Sequence, residues 1–236
     1  MANGKGIIQQ CSSSYLTRVS ARLGPMGTQT SFAASRSSAF PASYSPDTRP
    51  GSGVVSNVDL SITVAHSGDD AEWDTITFTS NGATVSVGHD GMMEATHSVF
   101  RFLNVNIAQG KTIVTAVLKL IVGANASSGF DTAVKAEDVD SSSRHTNSGE
   151  VGGVAETTAS VTWPTLGSWT TGTTVSSPEI KTVIQEIVDR GGWAANAELS
   201  LHLKYAGGGS STEYQRFKTY DDSAANAAVL EITYTP

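Results

Sequence analysis

A single cysteine, Cys11, stands in a polar, serine-rich segment. An intramolecular disulfide is therefore excluded, and a thiolate zinc site with it, while the redox compartment stays open. Charged residues make up only 16% of the chain and apolar residues 39%, against 23 glycines and abundant serine and threonine. Such a balance does not fit a helix-dominated enzyme; it fits a β-protein with many turns. No apolar run approaches the roughly 18–20 residues of a membrane span. The segment Met1–Gln10 has a lysine but no continuous apolar stretch, so it does not read as a secretory signal. The expectation is a protein made in a cytoplasm and not exported by that route.

The 236 residues suffice for one large all-β domain. Their net charge of −7 is unevenly spread. Residues 1–55 carry Lys5, Arg18, Arg22, Arg36 and Arg49 against Asp47, a net of +4, which leaves −11 for the remainder. An acidic body argues against a nucleic-acid partner. The basic segment suits an acidic protein surface, a neighbouring copy's body included, although a solvated tail has the same composition.

Residues 1–55 show no sustained periodicity and are punctuated by Pro41, Pro46, Pro50 and Gly51. Phe32, Phe40 and Tyr44 are too widely spaced for a core but suit single anchors in a partner's grooves, with Arg18 and Arg22 as their charged companions. Pure linkers usually lack such anchors. This segment reads as an extended arm, ordered by contact with something else, ahead of a domain over 56–236.

From Val58 onward apolar residues alternate. Val58, Leu60, Ile62 and Val64 share one face, as do Ala116, Leu118, Leu120 and Val122. Further strands are expected near 75–79, 84–87, 98–105, 130–139, 160–163, 199–205, 214–220 and 228–234. Asn81-Gly82 reads as a hairpin between its two neighbours, and Gly68–Trp73 as an acidic turn. One helix is expected, over about 178–190. Ile180, Val183, Ile184, Ile187 and Val188 form its apolar face. Ser177 is its expected N-cap, Pro178 its first residue, Glu179 lies in the first turn, Arg190 in the last, and Gly191-Gly192 is the stop. Nine or ten strands and one helix predict an all-β jelly-roll β-sandwich, with that helix plugging one end and an extended N-terminal arm preceding it.

Several stretches carry a resemblance. They are Phe100-Arg-Phe-Leu-Asn-Val, Thr115-Ala-Val-Leu-Lys-Leu, Val161-Thr-Trp163, Ser177-Pro-Glu-Ile through Gly192-Trp193, Arg216-Phe-Lys-Thr-Tyr-Asp-Asp and Leu230-Glu-Ile-Thr-Tyr234. In this order, over roughly 57–236, they resemble the jelly-roll domains named for a DNRLRE motif, found in secreted bacterial proteins and phage virion proteins. The naming motif itself is reduced here to Arg216 and Asp221-Asp222. The resemblance implies a β-sandwich, and a structural or carbohydrate-binding role; fold alone does not choose between them.

No catalytic set assembles in the sequence: there is no Gly-x-Ser-x-Gly, no His-Glu-x-x-His and no phosphate-cradling glycine motif. His66, His89, His97, His145 and His202 are scattered, and His202, between Leu201 and Leu203, is expected on an exposed sheet face. Asp69, Asp70 and Glu72, or Glu137, Asp138 and Asp140, offer oxygen ligands for calcium, or else are solvated loop carboxylates. Trp73 and Trp169 are candidates for stacking on sugars, whereas Trp163 and Trp193 flank the helix and read as packing.

A domain usually met outside cells, an absent export signal, an arm with lone aromatic anchors and no catalytic set point together to a non-enzymatic phage virion structural protein. A capsid decoration (cement) protein fits best, with Arg18, Arg22, Phe32, Phe40 and Tyr44 anchoring it to the major capsid protein or another virion protein. By analogy with such proteins a homo-oligomer, a trimer, is expected, with neither nucleic acid nor membrane as partner. The alternative is a carbohydrate-binding module of a head or tail fibre that touches the host surface.

Overall fold

The structure is a computed structural model, and it describes residues 56–89, 95–124, 129–164, 169–210 and 212–236. The arm and its five expected anchor residues lie outside these. Among the described residues no helix is long and apolar enough to cross a membrane.

Among the described residues, twelve strands form two antiparallel six-stranded sheets. The first sheet holds β1 (Val58–Thr63), β12 (Val229–Tyr234), β6 (Ile113–Ala124), β11 (Tyr214–Lys218) and β4 (Thr84–Gly88), with β9 (Thr174–Ser176) also paired to β6. The second runs β3 (Phe78–Thr79), β2 (Asp70–Trp73), β5 (His97–Val105), β10 (Ala197–Gly208), β7 (Phe130–Ala136) and β8 (Val161–Trp163). Setting aside β2, β3, β4 and β11, the remaining eight strands pair as β1-β12-β6-β9 and β5-β10-β7-β8. In chain order these are first-eighth-third-sixth and second-seventh-fourth-fifth, the winding of a jelly roll. The expected fold class is therefore the observed one.

Alternation explains the core. Ala116, Leu118, Leu120 and Val122 on β6, Leu230 and Ile232 on β12, and Leu199, Leu201 and Leu203 on β10 point between the sheets with Phe100, Phe102, Phe130 and Phe217, all buried. The expected helix forms as α2 (Lys181–Val188), shorter than the pattern suggested. Its face of Ile180, Val183, Ile184, Ile187 and Val188 lies inside this core, packed against β6 and β7, one strand from each sheet. Each such side chain contributes roughly 1.5–3 kcal/mol by leaving water.

The ends of α2 differ from expectation. Ile180 occupies the N-cap with no side-chain cap bond. The Ser177 hydroxyl instead accepts from Leu118 N (3.0 Å), and the Glu179 carboxylate accepts from Ala116 N (2.7 Å) and Lys181 N (2.9 Å). Both side chains were claimed by unpaired amides along the edge of β6. At the other end neither Gly191 nor Gly192 adopts a positive φ. A Cβ at Gly192 would overlap the Asp140 carboxylate, so a larger residue there would make that side chain shift. Arg190 lies past the helix and pairs with Asp138 and Asp140.

Two further expectations are overturned. Asn81-Gly82 does not close a hairpin: β3 belongs to the second sheet and β4 to the first, so this pair marks the passage between sheets. Neither residue adopts the positive φ that a tight hairpin turn demands. The acidic stretch expected to be a turn contains β2, paired to β5 with Trp73 opposite His97. A second helix also appears, α1 (Ser148–Gly153). Its N-cap Asn147 accepts from Glu150 N (2.9 Å), while the Glu150 carboxylate accepts from Thr146 N (2.7 Å).

Candidate functional site

The outward faces of the two sheets are built differently, and the candidate sites follow from that. On β10 the residues between the leucines, Ser200 and His202, are fully buried rather than exposed. The expectation for His202 fails because the segment 137–157, α1 included, folds back over this side of the second sheet. Asp138 N bonds Ala155 O, Ser142 N bonds Glu198 O, and Ser200 N donates to the Ser142 hydroxyl.

Charge is concentrated beneath this cover. Glu156 accepts from His202 Nδ1 (3.0 Å) and pairs with Lys204 Nζ (2.9 Å) and, more loosely, with Lys135 Nζ (3.6 Å). Since the ionised carboxylate can only accept, His202 carries its proton on Nδ1. Burial by itself would raise the Glu156 pKa, but hydrogen bonds from His202 and Lys204 and their charge outweigh it and bring it to about 2. Such a carboxylate is ionised at every physiological pH and is no general base. His145 lies 3.5 Å from Glu137, whose carboxyl is pulled down against burial by His145 and Ser142. The rings of Trp73, His97 and His202 meet at 5.2 Å centroid separations. The whole forms a neutralised, cross-linked layer, suited to fixing a cover in place.

The acidic residues proposed as calcium ligands are engaged elsewhere. Asp69, fully buried, accepts on one oxygen from Arg101 Nη1 and Arg144 Nε, both at 3.0 Å. Asp70 accepts from Tyr220 N (2.8 Å), and burial, its largest influence, raises its pKa to about 6. Glu72 accepts from Ser86 N (2.6 Å). In the other acidic run, Arg190 takes both Asp138 and Asp140. No group of three or more metal-ligating side chains suited to an ion occurs among the described residues. At Asp69, Asp138 and Asp140 a guanidinium already occupies the place that a cation would fill, while Asp70 and Glu72 are taken up by backbone amides.

The outward face of β1-β12-β6-β9 lacks any cover among the described residues. Register places Asp59, Thr233 and Thr115 in one row, Ser61, Glu231 and Val117 in the next, and Thr63, Val229, Lys119 and Ser176 in a third. Asp59 accepts from the Thr233 hydroxyl (2.7 Å), and Lys119 pairs with Glu231 (2.6 Å). Two hollows of about 360 and 370 Å³ lie along it, and Ser61 and Glu231 line both. The result is an elongated surface rich in hydroxyls and carboxylates, with a central apolar strip of Val117, Val229 and Ile121. Strand alternation alone could have located these outward residues, but not that no described segment lies over them.

The tryptophans divide otherwise than expected. Trp73 is 4% exposed, wedged against two histidines, and so cannot serve as an open stacking platform. Trp169 is half-buried, with its ring beside Trp163 and Phe217 at 5.7 and 6.1 Å. Trp163 and Trp193 pack in the core as anticipated, and Trp193 Nε1 donates to Ile107 O (2.9 Å). Missing from the sequence reading were Lys204, Glu156 and α1; the Asn147-x-x-Glu150 capping pattern was the available signal for the helix.

No protein-family model matches this chain, and no curated protein matches it. Among solved structures, a xylan-binding module CBM15 is similar with a TM-score of 0.36 and 14% sequence identity, over 75% of this chain and 97% of its own. The fold assignment here rests on strand order and pairing.

Proposed function

We propose that this chain is a non-enzymatic structural protein of a phage particle, a capsid decoration module whose jelly roll is displayed while residues 1–55 attach it. The charge split carries this reading: a basic, proline-punctuated segment with isolated aromatics precedes an acidic sandwich. The motif resemblance to DNRLRE-type virion domains supports it. So does the pairing of the Asp69, Glu137 and Glu156 carboxylates with basic neighbours, a structural use of buried charge. Removing residues 1–55 should abolish attachment to purified particles and leave the melting temperature of the body nearly unchanged. Attachment by the truncated body would refute the reading.

The open face favours a second reading, a carbohydrate-contacting module of a head or tail fibre. Hydroxyls, carboxylates and an ammonium beside an apolar strip suit the alternating hydroxyl and C–H surfaces of a glycan chain, and hollows of this size fall within the usual range for ligand sites. The carbohydrate recorded in the name of the CBM15 neighbour is that protein's own ligand and adds no weight.

A further inference from the structure

A third hollow lies on the opposite side of the sandwich, at the end of the covered sheet. It has a volume of about 200 Å³ and opens between the turn joining β2 to β3 and helix α1. Asp74, Thr75, His97, Ser148 and Lys204 line it, with Trp73 beside them. We propose that this cleft binds one terminal sugar unit of a glycan, as a neutral polyol.

The donors and acceptors are of the right kinds. His97 Nδ1 accepts from Tyr205 N (3.1 Å), which fixes the neutral tautomer with its proton on Nε2. Burial, then the charge of Lys204, lowers the His97 pKa to about 4, so at neutral pH the ring is an uncharged donor. Lys204 brings an ammonium held by Glu156, and Ser148 and Thr75 bring hydroxyls. Asp74 brings the acceptor: its Oδ1 already orders the turn through Ile76 N (2.7 Å) and Thr77 N (2.6 Å), so the carboxylate is held in place beforehand. With the Lys204 ammonium already paired to Glu156 and the Asp74 carboxylate in the lining, the cleft has no excess of positive charge, which disfavours a small anion and suits vicinal hydroxyls that donate to one group while accepting from the other.

Size sharpens the assignment. Drug-sized ligands occupy clefts of roughly 300–1,000 Å³, and this one is smaller, so it fits a single ring and not a chain. Trp73, buried with the rings of His97 and His202 at 5.2 Å, contributes an edge of the cleft in place of a stacking surface. The site goes beyond both readings above and depends on neither.

Gly152 provides the test. A Cβ added there would stand 3.8 Å from Trp73 Nε1, an ordinary contact, so a side chain at this position occupies the cleft without disturbing what lies beneath. The Trp73 indole N–H would be followed by NMR in the full-length chain, titrated with methyl glycosides of the common neutral hexoses and N-acetylhexosamines, and with sodium acetate as the anion probe. At least one glycoside should shift it saturably at millimolar concentration, and acetate should not. Gly152→Leu should weaken that binding by about tenfold or more with an unchanged melting temperature. Asp74→Asn, which retains the acceptor for the turn, should weaken it several-fold and covers the case of a poorly folded Gly152→Leu. No shift with any glycoside, or binding of acetate in their place, would overturn the assignment. Sugar binding insensitive to Gly152→Leu but lost in Glu231→Gln would overturn it too, while leaving the open-face reading intact.

Discussion

The two sheets of this sandwich share one core and treat their outer surfaces in opposite ways. On the second sheet, buried charges are tied together beneath a returning segment, and Glu156 alone engages His202, Lys204 and Lys135. On the first, Lys119 and Glu231 form a pair with side chains 36% and 42% exposed. The same chemistry therefore serves different ends. Covered ion pairs fix the position of a segment, and a change to one partner strands the others. Open ones hold little energy and leave their atoms available to a ligand.

This contrast can be broken first at Glu156. Glu156→Gln should lower stability by about 2 kcal/mol in denaturant titration at neutral pH, less than for a wholly buried pair because both lysines keep part of their surface in water. The Glu156 pKa is depressed from its ordinary 4.5 to about 2. Its contribution is thus complete above the ordinary value and is lost as pH falls through about 2, so the two proteins should converge over that window. A constant difference down to the lowest pH would show that packing, not charge, holds the cover.

Asp70 should behave with the reverse sign. Its pKa is raised from 3.8 to about 6, so the folded state resists the ionised form. It costs nothing below the ordinary value and penalises folding as pH rises through about 6. Asp70→Asn should therefore stabilise the protein at pH 7 by about 1.5 kcal/mol, with the gain vanishing in acid; thermal melts across pH would read it. Destabilisation at neutral pH would contradict the burial argument.

The smallest effect belongs to the open face. Glu231→Gln should change stability by no more than about 0.5 kcal/mol, while a glycan array should register it if the second functional reading holds. A large loss of stability would mean that this surface is not the counterpart of the covered one.

The architecture was largely legible because strand alternation reports which side chains face the core. The runs at 58–64 and 116–122, and the apolar face of α2, were found in this way. Alternation is silent about whether the opposite side meets water. His202 was misplaced for that reason, since its cover comes from residues some 46 positions away, at Glu156. Strand β2 was hidden because a four-residue element containing two carboxylates looks like a turn until the Tyr220 and Ser86 amides are brought beside Asp70 and Glu72. Asn81-Gly82 misled because turn chemistry is local, whereas the choice between pairing back and crossing to the other sheet depends on distant strands. The site residues were less legible than the fold. Calcium and stacking candidates were chosen by residue type, and the structure had already committed those side chains to neighbours.

Glu72 and Ser98 have one more consequence. From the second sheet they satisfy both the amide and the carbonyl of Ser86 on β4, the last strand of the first sheet. Ser177 and Glu179 do the same for amides of β6, and the outer strands of the second sheet, β3 and β8, are two and three residues long. Sheet margins are where identical molecules crowded together begin to polymerise. Among the described residues the margins left to such growth are short, the six residues of β1 and the three of β9.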